Sequence, residues 1–240
     1  MNTPNCHLGL SDQSTANWQP GARSAAQPRV TEVLEKYIAQ NLEQADSETD
    51  LFTGERYVQF HHFLPKDAKS ILDVGANTGR GGQRLAELNP FYKLTALDCV
   101  QSRLDALPEC YGRAICGLSN AIPAEDRSFD AIRAGEFLEH LYPSDVDPTL
   151  CEFQRVLKVQ GRLLMTTPNP AYVRLWLSGG TVYTVSHLTQ HWPTVLETRL
   201  RVHGFSRVRI YGSGKVSRYL GYYFPIRALY GSYLITGDKY

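Results

Sequence analysis

The stretch from residue 70 to residue 88 constrains this chain more than any other. Ile71, Leu72 and Val74 form a short apolar run, Gly75-Ala76-Asn77-Thr78-Gly79 follows as a turn of small residues, and Leu85 and Leu88 then fall at helical spacing. This succession reads as strand, tight turn and helix. Small residues let the backbone of such a turn approach a ligand closely, and the first N–H groups of the helix lack intrahelical acceptors. The expected ligand is nucleotide-like.

The next strand narrows the choice. Lys93-Leu94-Thr95-Ala96-Leu97 is a second apolar run and ends in Asp98, 25 residues after Asp73. An acid at the tip of the second strand of a doubly wound sheet can accept hydrogen bonds from both hydroxyls of a ribose. NAD and S-adenosyl-L-methionine (SAM) both offer that ribose. The turn reads Asp73-x-Gly75-x-Asn77-x-Gly79, not the G-x-G-x-x-G that cradles a dinucleotide pyrophosphate.

On these residues the sequence resembles the class I SAM-dependent methyltransferases, over roughly residues 50–240. Asp73, Gly75, Asn77 and Gly79 match the family's acidic-x-Gly-x-Gly-x-Gly turn, with Asn77 where that family has Gly. Ser128-Phe129-Asp130-Ala131-Ile132, followed by Gly135-Glu136-Phe137-Leu138-Glu139-His140-Leu141, looks like its fourth strand and the helix behind it. Residues 155–165 look like the next helix end, turn and fifth strand. The resemblance implies an α/β fold: a Rossmann-like, doubly wound, seven-stranded and mostly parallel sheet, with an antiparallel C-terminal strand and helices on both faces. It also implies that Asp73, Gly75, Ala76, Asn77, Gly79 and Glu136 shape the methionine end of a SAM site. Asp98 would hold the ribose with Cys99 beside it, and Leu118 and Ser119 would flank adenine. Family members often place an Asp where this chain has Leu118.

A chain of 240 residues is long enough to bury one full α/β core. No apolar run approaches the ~18 to 20 residues of a membrane-spanning helix, and the first thirty residues show no signal-peptide pattern. Cytoplasmic location is the expectation. The five cysteines form no Cys-x-x-Cys pair, so neither a disulfide framework nor a zinc knot is implied. Net charge is only +1, yet residues 154–240 hold 12 basic side chains against Glu197 and Asp238 alone. Such asymmetry fits a surface for an anionic substrate, a membrane face or RNA, and equally a chance of surface composition.

Residues 1–28 are polar and aperiodic and read as a tail, leaving residues 29–240 as a single domain. Val30, Val33, Leu34, Tyr37, Ile38 and Leu42 predict a covering helix, with cap-like chemistry at Thr31 and Glu35. A second helix is predicted over residues 54–63, where Arg56 and Tyr57 face either the cofactor or plain packing. After the fifth strand an insertion spans residues 168–192, and its Tyr172, Trp176, Tyr183 and Trp192 favour an ordered substrate cover. Further on, Tyr219-Leu220-Gly221-Tyr222-Tyr223-Phe224-Pro225-Ile226 fits a lipid-facing or sugar-stacking role, but packed core is the expected reading.

Glu136, Glu139 and His140 carry the candidate chemistry, since spacings of three and four put them on one face if this stretch is helical. A hydroxyl acceptor must lose a proton during methyl transfer, and His140, His187 and Glu139 are the catalytic candidates. The arrangement resembles the Glu-x-x-Glu-His plus distant His of metal-assisted small-RNA 2′-O-methyltransferases, with His187 and His191 available as that distant His. Glu136, Glu139, His140 and His187 could thus hold a divalent cation, Mg or Mn. A metal-free pocket built from the same residues remains open.

The resemblance thus implies a SAM-dependent methyltransferase acting on a hydroxyl of a small molecule or a sugar or glycan. Two alternatives stay beside it: an RNA 2′-O-methyltransferase, and a non-catalytic SAM-binding regulatory protein.

Overall fold

The computed structural model describes residues 27–42 and 52–240, with side chains from Glu32 onward. The expected tail lies outside the described residues except for Gln27 and Pro28, which open helix α1 (Gln27–Leu42). Proline is tolerated in a first helical turn because its missing N–H has no partner there. Thr31 consequently lies inside the helix and not at its cap.

The organising stretch forms strand β1 (Ser70–Val74) and helix α3 (Arg80–Leu88), with α2 (Thr53–Phe63) in front of them. Then come β2 (Lys93–Asp98), the short α4 (Gln101–Asp105), β3 (Tyr111–Cys116) and β4 (Phe129–Gly135). Helix α5 (Pro143–Val156) leads directly into β5 (Leu157–Pro168). The chain closes with α6 (Val173–Leu177), α7 (Pro193–Val202), β6 (Phe205–Ser213), α8 (Ser217–Leu220) and β7 (Ser232–Lys239).

The seven strands form one sheet in the order β3-β2-β1-β4-β5-β7-β6. All pairings are parallel up to β5, and β7 runs antiparallel to both of its neighbours. Ile71, Leu72, Ile132, Leu163 and Leu164 are fully buried along the central strands, and burial of each such side chain contributes about 1.5–3 kcal/mol. The strand order reverses between β1 and β4, so a crevice opens above their carboxyl ends. That is where the cleft lies.

Gly81 and Gly82 weaken α3 by about 1 kcal/mol each relative to alanine, and packing explains them. A Cβ at Gly81 would collide with the Tyr57 ring, and one at Gly82 with the Tyr111 hydroxyl. The two glycines let both tyrosines reach beneath the turn, where both bond Asp73.

Two expectations are corrected. Residues 136–140 are not on an α-helix: Glu136 adopts a left-handed φ of 48°, and a single 3-10 turn, Leu138–His140, follows. Pro143 disfavours helical geometry at the preceding residue, and Tyr142 is accordingly extended (φ −60°, ψ 146°), so α5 starts only after it. The aromatic stretch is not packed core either, since Tyr219 is 84% and Tyr223 67% exposed. Gly221 at φ 69° breaks the chain after a four-residue helix, and its carbonyl accepts from the hydroxyl of Tyr230, whose buried ring lies beneath.

Among the described residues Cys99, Cys110, Cys116 and Cys151 are free thiols. No helix among them is long and apolar enough to cross a membrane.

Candidate active site

The crevice is a cleft of about 960 Å³ walled by α1, α2, the carboxyl ends of β1, β2 and β4, and residues 184–188 of the insertion. Its volume matches the upper range of small-molecule sites. Gly75, Ala76, Asn77, Asp98, Cys99, Leu118, Ser119 and Glu136 all line it, as do His140 and His187.

The turn after β1 takes its shape from three left-handed residues, Gly75 at φ 66°, Asn77 at φ 50° and Gly79 at φ 75°. Asn is among the few side chains that tolerate this region, which explains how Asn77 stands where glycine is usual. Asp98 is only 6% exposed. Its Oδ2 accepts the Asn77 N–H at 2.9 Å and its Oδ1 the Val100 N–H at 3.0 Å. Each carboxylate oxygen accepts two bonds, so both keep capacity for a ribose hydroxyl.

Asp73 and Gly79 do not line the cleft. Asp73 is completely buried under it, where Tyr111 donates to Oδ2 at 2.5 Å and Arg133 from β4 forms an ion pair with Oδ1. The Arg133 guanidinium also lies over the Tyr57 ring, 3.8 Å from its centroid. Asp73 therefore braces the turn from below. On the far wall Ser119 is bonded to Thr149 of α5 at 2.8 Å and Asn120 to Asp145 at 3.1 Å. Leu118 remains as the apolar face of that wall.

Opposite the turn stand the two histidines, with ring centroids 4.9 Å apart. His140 Nδ1 lies 2.9 Å from the Ser186 carbonyl and His187 Nδ1 2.8 Å from the Val182 carbonyl. A carbonyl only accepts, so each Nδ1 carries the proton and each Nε2 keeps its lone pair. Burial, and secondarily the neighbouring His187, push the His140 pKa down to about 4. It is neutral near pH 7.

Glu139 lies deeper, 1% exposed, and its carboxylate makes no well-formed hydrogen bond among the described residues, with the Thr167 side chain beside it. Burial, followed by repulsion from Glu136, raises its pKa well above the usual carboxylate range. One ligand atom each from Glu139, His140 and His187 fall within 4.8 Å of one another. Glu136 stands apart from this group, its Oε1 3.8 Å from Arg56 Nε. His191 is buried elsewhere, bonded to Thr189 Oγ1 at 2.9 Å. The insertion is strapped to this loop: Leu188 and Thr189 N–H both donate to the Glu139 carbonyl, at 2.7 and 3.0 Å. Gln40 of α1 reaches the His140 and Ser186 carbonyls at 3.4 and 3.3 Å.

Sequence reasoning left Arg133 out. The signal was available, because an arginine inside a buried strand requires an acid, and Asp73 sits on the neighbouring strand.

Residues 72–165 match the family model described as a methyltransferase domain. The matched residues run from β1 into β5, and over them the chain is similar to a methyltransferase domain. An uncharacterized methyltransferase of Mycobacterium tuberculosis is 35% identical over 104 residues, 42% of this chain and 40% of that protein. A malonyl-[acyl-carrier protein] O-methyltransferase of Coxiella burnetii is 33% identical over 117 residues, 49% of this chain and 40% of that one. The chain thus spans about two fifths of the length of these curated relatives. The methyltransferase fold extends further. A SAM-dependent methyltransferase structure from Archaeoglobus fulgidus superposes with a TM-score of 0.61 over 87% of this chain and 99% of that one, at 16% identity. SAM is the cofactor of such a domain, and the methyltransferase cleft fits it at the points that matter. Asp98 offers open acceptor sites at the tip of β2, the turn after β1 exposes backbone instead of bulky side chains, and Leu118 provides an apolar wall for a base.

Proposed function

We propose that this protein transfers a methyl group from SAM to a hydroxyl of a small molecule or of a sugar or glycan. The observation that carries this reading is the pair of imidazoles lining the cleft, each with Nδ1–H held by a carbonyl and Nε2 free to accept a proton. SAM supplies an electrophilic methyl: its sulfur–carbon bond breaks as the acceptor oxygen forms a new one, and S-adenosylhomocysteine leaves. His140 Nε2, neutral at physiological pH, takes the hydroxyl proton, with His187 beside it. Asp98 holds the nucleoside, and residues 184–188 wall the cleft on the acceptor side. Three of the curated relatives are named O-methyltransferases, which supports oxygen as the acceptor atom.

The test is turnover with SAM carrying a labelled methyl group against a panel of phenolic and sugar hydroxyls, read as S-adenosylhomocysteine formed. His140→Gln should lower kcat by roughly a hundred-fold or more, the usual share of a general base, and leave S-adenosylhomocysteine affinity unchanged. Full activity in that variant, or transfer to amines only, would remove the reading.

One observation favours a metal-assisted version. Glu139 buries its carboxylate within 4.8 Å of a ring nitrogen of each histidine, and a carboxylate with two imidazoles is a set that suits a divalent transition metal, Mn better than Mg. Glu139, His140 and His187 would hold the ion, which would lower the pKa of a coordinated acceptor hydroxyl. Mn titration followed by electron paramagnetic resonance decides between the versions. Binding lost in Glu139→Gln supports the metal, and no binding at saturating Mn leaves the imidazoles as bases.

A further inference from the structure

Two connections leave the carboxyl edge of the sheet beside the cleft: residues 169–192 after β5 and residues 214–231 between β6 and β7. Together they contain no acidic residue and four basic ones, Arg174, Lys215, Arg218 and Arg227, all exposed. They also hold large apolar side chains out in solvent. Trp176 is 76%, Leu177 73%, Tyr219 84% and Ile226 54% exposed.

These side chains are not scattered singly. Helix α6, with Arg174, Trp176 and Leu177, packs on the 3-10 turn Arg227–Leu229 that follows Ile226. Asn169 locks the two connections together by donating to the Arg227 and Tyr230 carbonyls at 3.0 and 2.9 Å. The face is therefore prearranged, and the connection that carries α6 runs on to the cleft, which its residues 184–188 line, with Val185 among them 94% exposed.

We propose that this face seats the protein on an anionic lipid surface. Cations with Trp, Tyr, Leu and Ile on the tips of short elements are the composition of an interfacial binding face, where the apolar groups enter the headgroup boundary and the cations meet anionic lipid. Charge complementarity alone would also admit nucleic acid or an acidic protein. Leu177, Ile226 and Val185 decide for lipid over nucleic acid, because aliphatic side chains offer bases no stacking surface. An acidic protein partner is left to the experiment. Since the cleft opens at the same edge, an acceptor anchored in the lipid would reach it from the interface; this last consequence rests on the methyl-transfer reading, and the docking itself does not.

The experiment is co-sedimentation of the full chain with vesicles of phosphatidylcholine, with and without phosphatidylglycerol, at low and high salt. Binding should be at least about ten-fold stronger to the anionic vesicles and fall with salt. The variants Trp176→Ser/Leu177→Ser and Arg174→Glu/Arg227→Glu should each lose about ten-fold, while both retain wild-type affinity for S-adenosylhomocysteine as proof of folding. No sedimentation with anionic vesicles at low salt overturns the proposal, as does undiminished binding by both variants. Capture of an acidic acyl carrier protein, lost in the variants while vesicles go unbound, also overturns it and assigns the face to that partner. Failure of the wild-type chain to bind S-adenosylhomocysteine would sink the methyl-transfer reading and leave the vesicle result standing.

Discussion

Asp73 and Arg133 are register partners on adjacent parallel strands and form an ion pair sealed from solvent beneath the cofactor turn. Two tyrosines complete the enclosure, Tyr111 by a hydrogen bond and Tyr57 by stacking against the guanidinium. Removing one partner of such a pair strands a buried charge, which costs about 3–5 kcal/mol, whereas replacing both is often near neutral. Arg133→Met should therefore destabilise the protein by about that amount in urea unfolding. Asp73→Asn combined with Arg133→Met should recover much of it.

Asp98 accepts two backbone N–H groups and still faces the cleft. On the proposed reading its loss removes charged hydrogen bonds to the ribose, each worth about 1.5–3 kcal/mol. Calorimetric titration with S-adenosylhomocysteine should show Asp98→Ala binding roughly a hundred-fold or more weaker. Asp98→Asn keeps one acceptor oxygen and should fall between.

Asn77 sits at φ 50°. A β-branched residue there would incur about 1–2 kcal/mol of backbone strain. Asn77→Val should lower thermal stability accordingly, while Asn77→Gly should be tolerated with cofactor affinity intact. Equal melting temperatures for the two variants would contradict this account of the turn.

His191 is 6% exposed, and burial pushes its pKa down to about 4 from the ordinary 6.5. Between those values the unfolded chain binds the proton and the folded one does not, so stability rises with pH. The contribution is fully present above about pH 6.5 and is lost as pH falls toward 4, a change of about 3 kcal/mol. Unfolding free energies across this window should slope less steeply in His191→Gln than in the wild type.

Much of this was legible in the chain itself. The apolar run at Ile71 to Val74, the small-residue turn and the acid at Asp98 each report a local requirement, and periodicity records such requirements directly. The form of residues 136–140 was legible only in part: Pro143 marks the delayed helix start, but a Glu at a left-handed φ depends on what surrounds the loop. The fate of Tyr219, Tyr223 and Ile226 was hidden for a related reason: apolar content says that a side chain can be buried, not that room exists for it. The pairing of His140 with His187 joins residues 47 positions apart through carbonyls at Ser186 and Val182, and no sequence pattern encodes those contacts.

The strap from Leu188 and Thr189 to the Glu139 carbonyl fixes where the insertion must land, while its outer arc, residues 171–181, makes no hydrogen bond to the two histidines. A segment anchored in this way behaves as an interchangeable cassette. Lineages could rewrite residues 171–181, in length as well as composition, and change what the cleft admits without resetting the two imidazoles. Grafts between relatives should accordingly be cut at Asn169 and Val182, where the joints are already built.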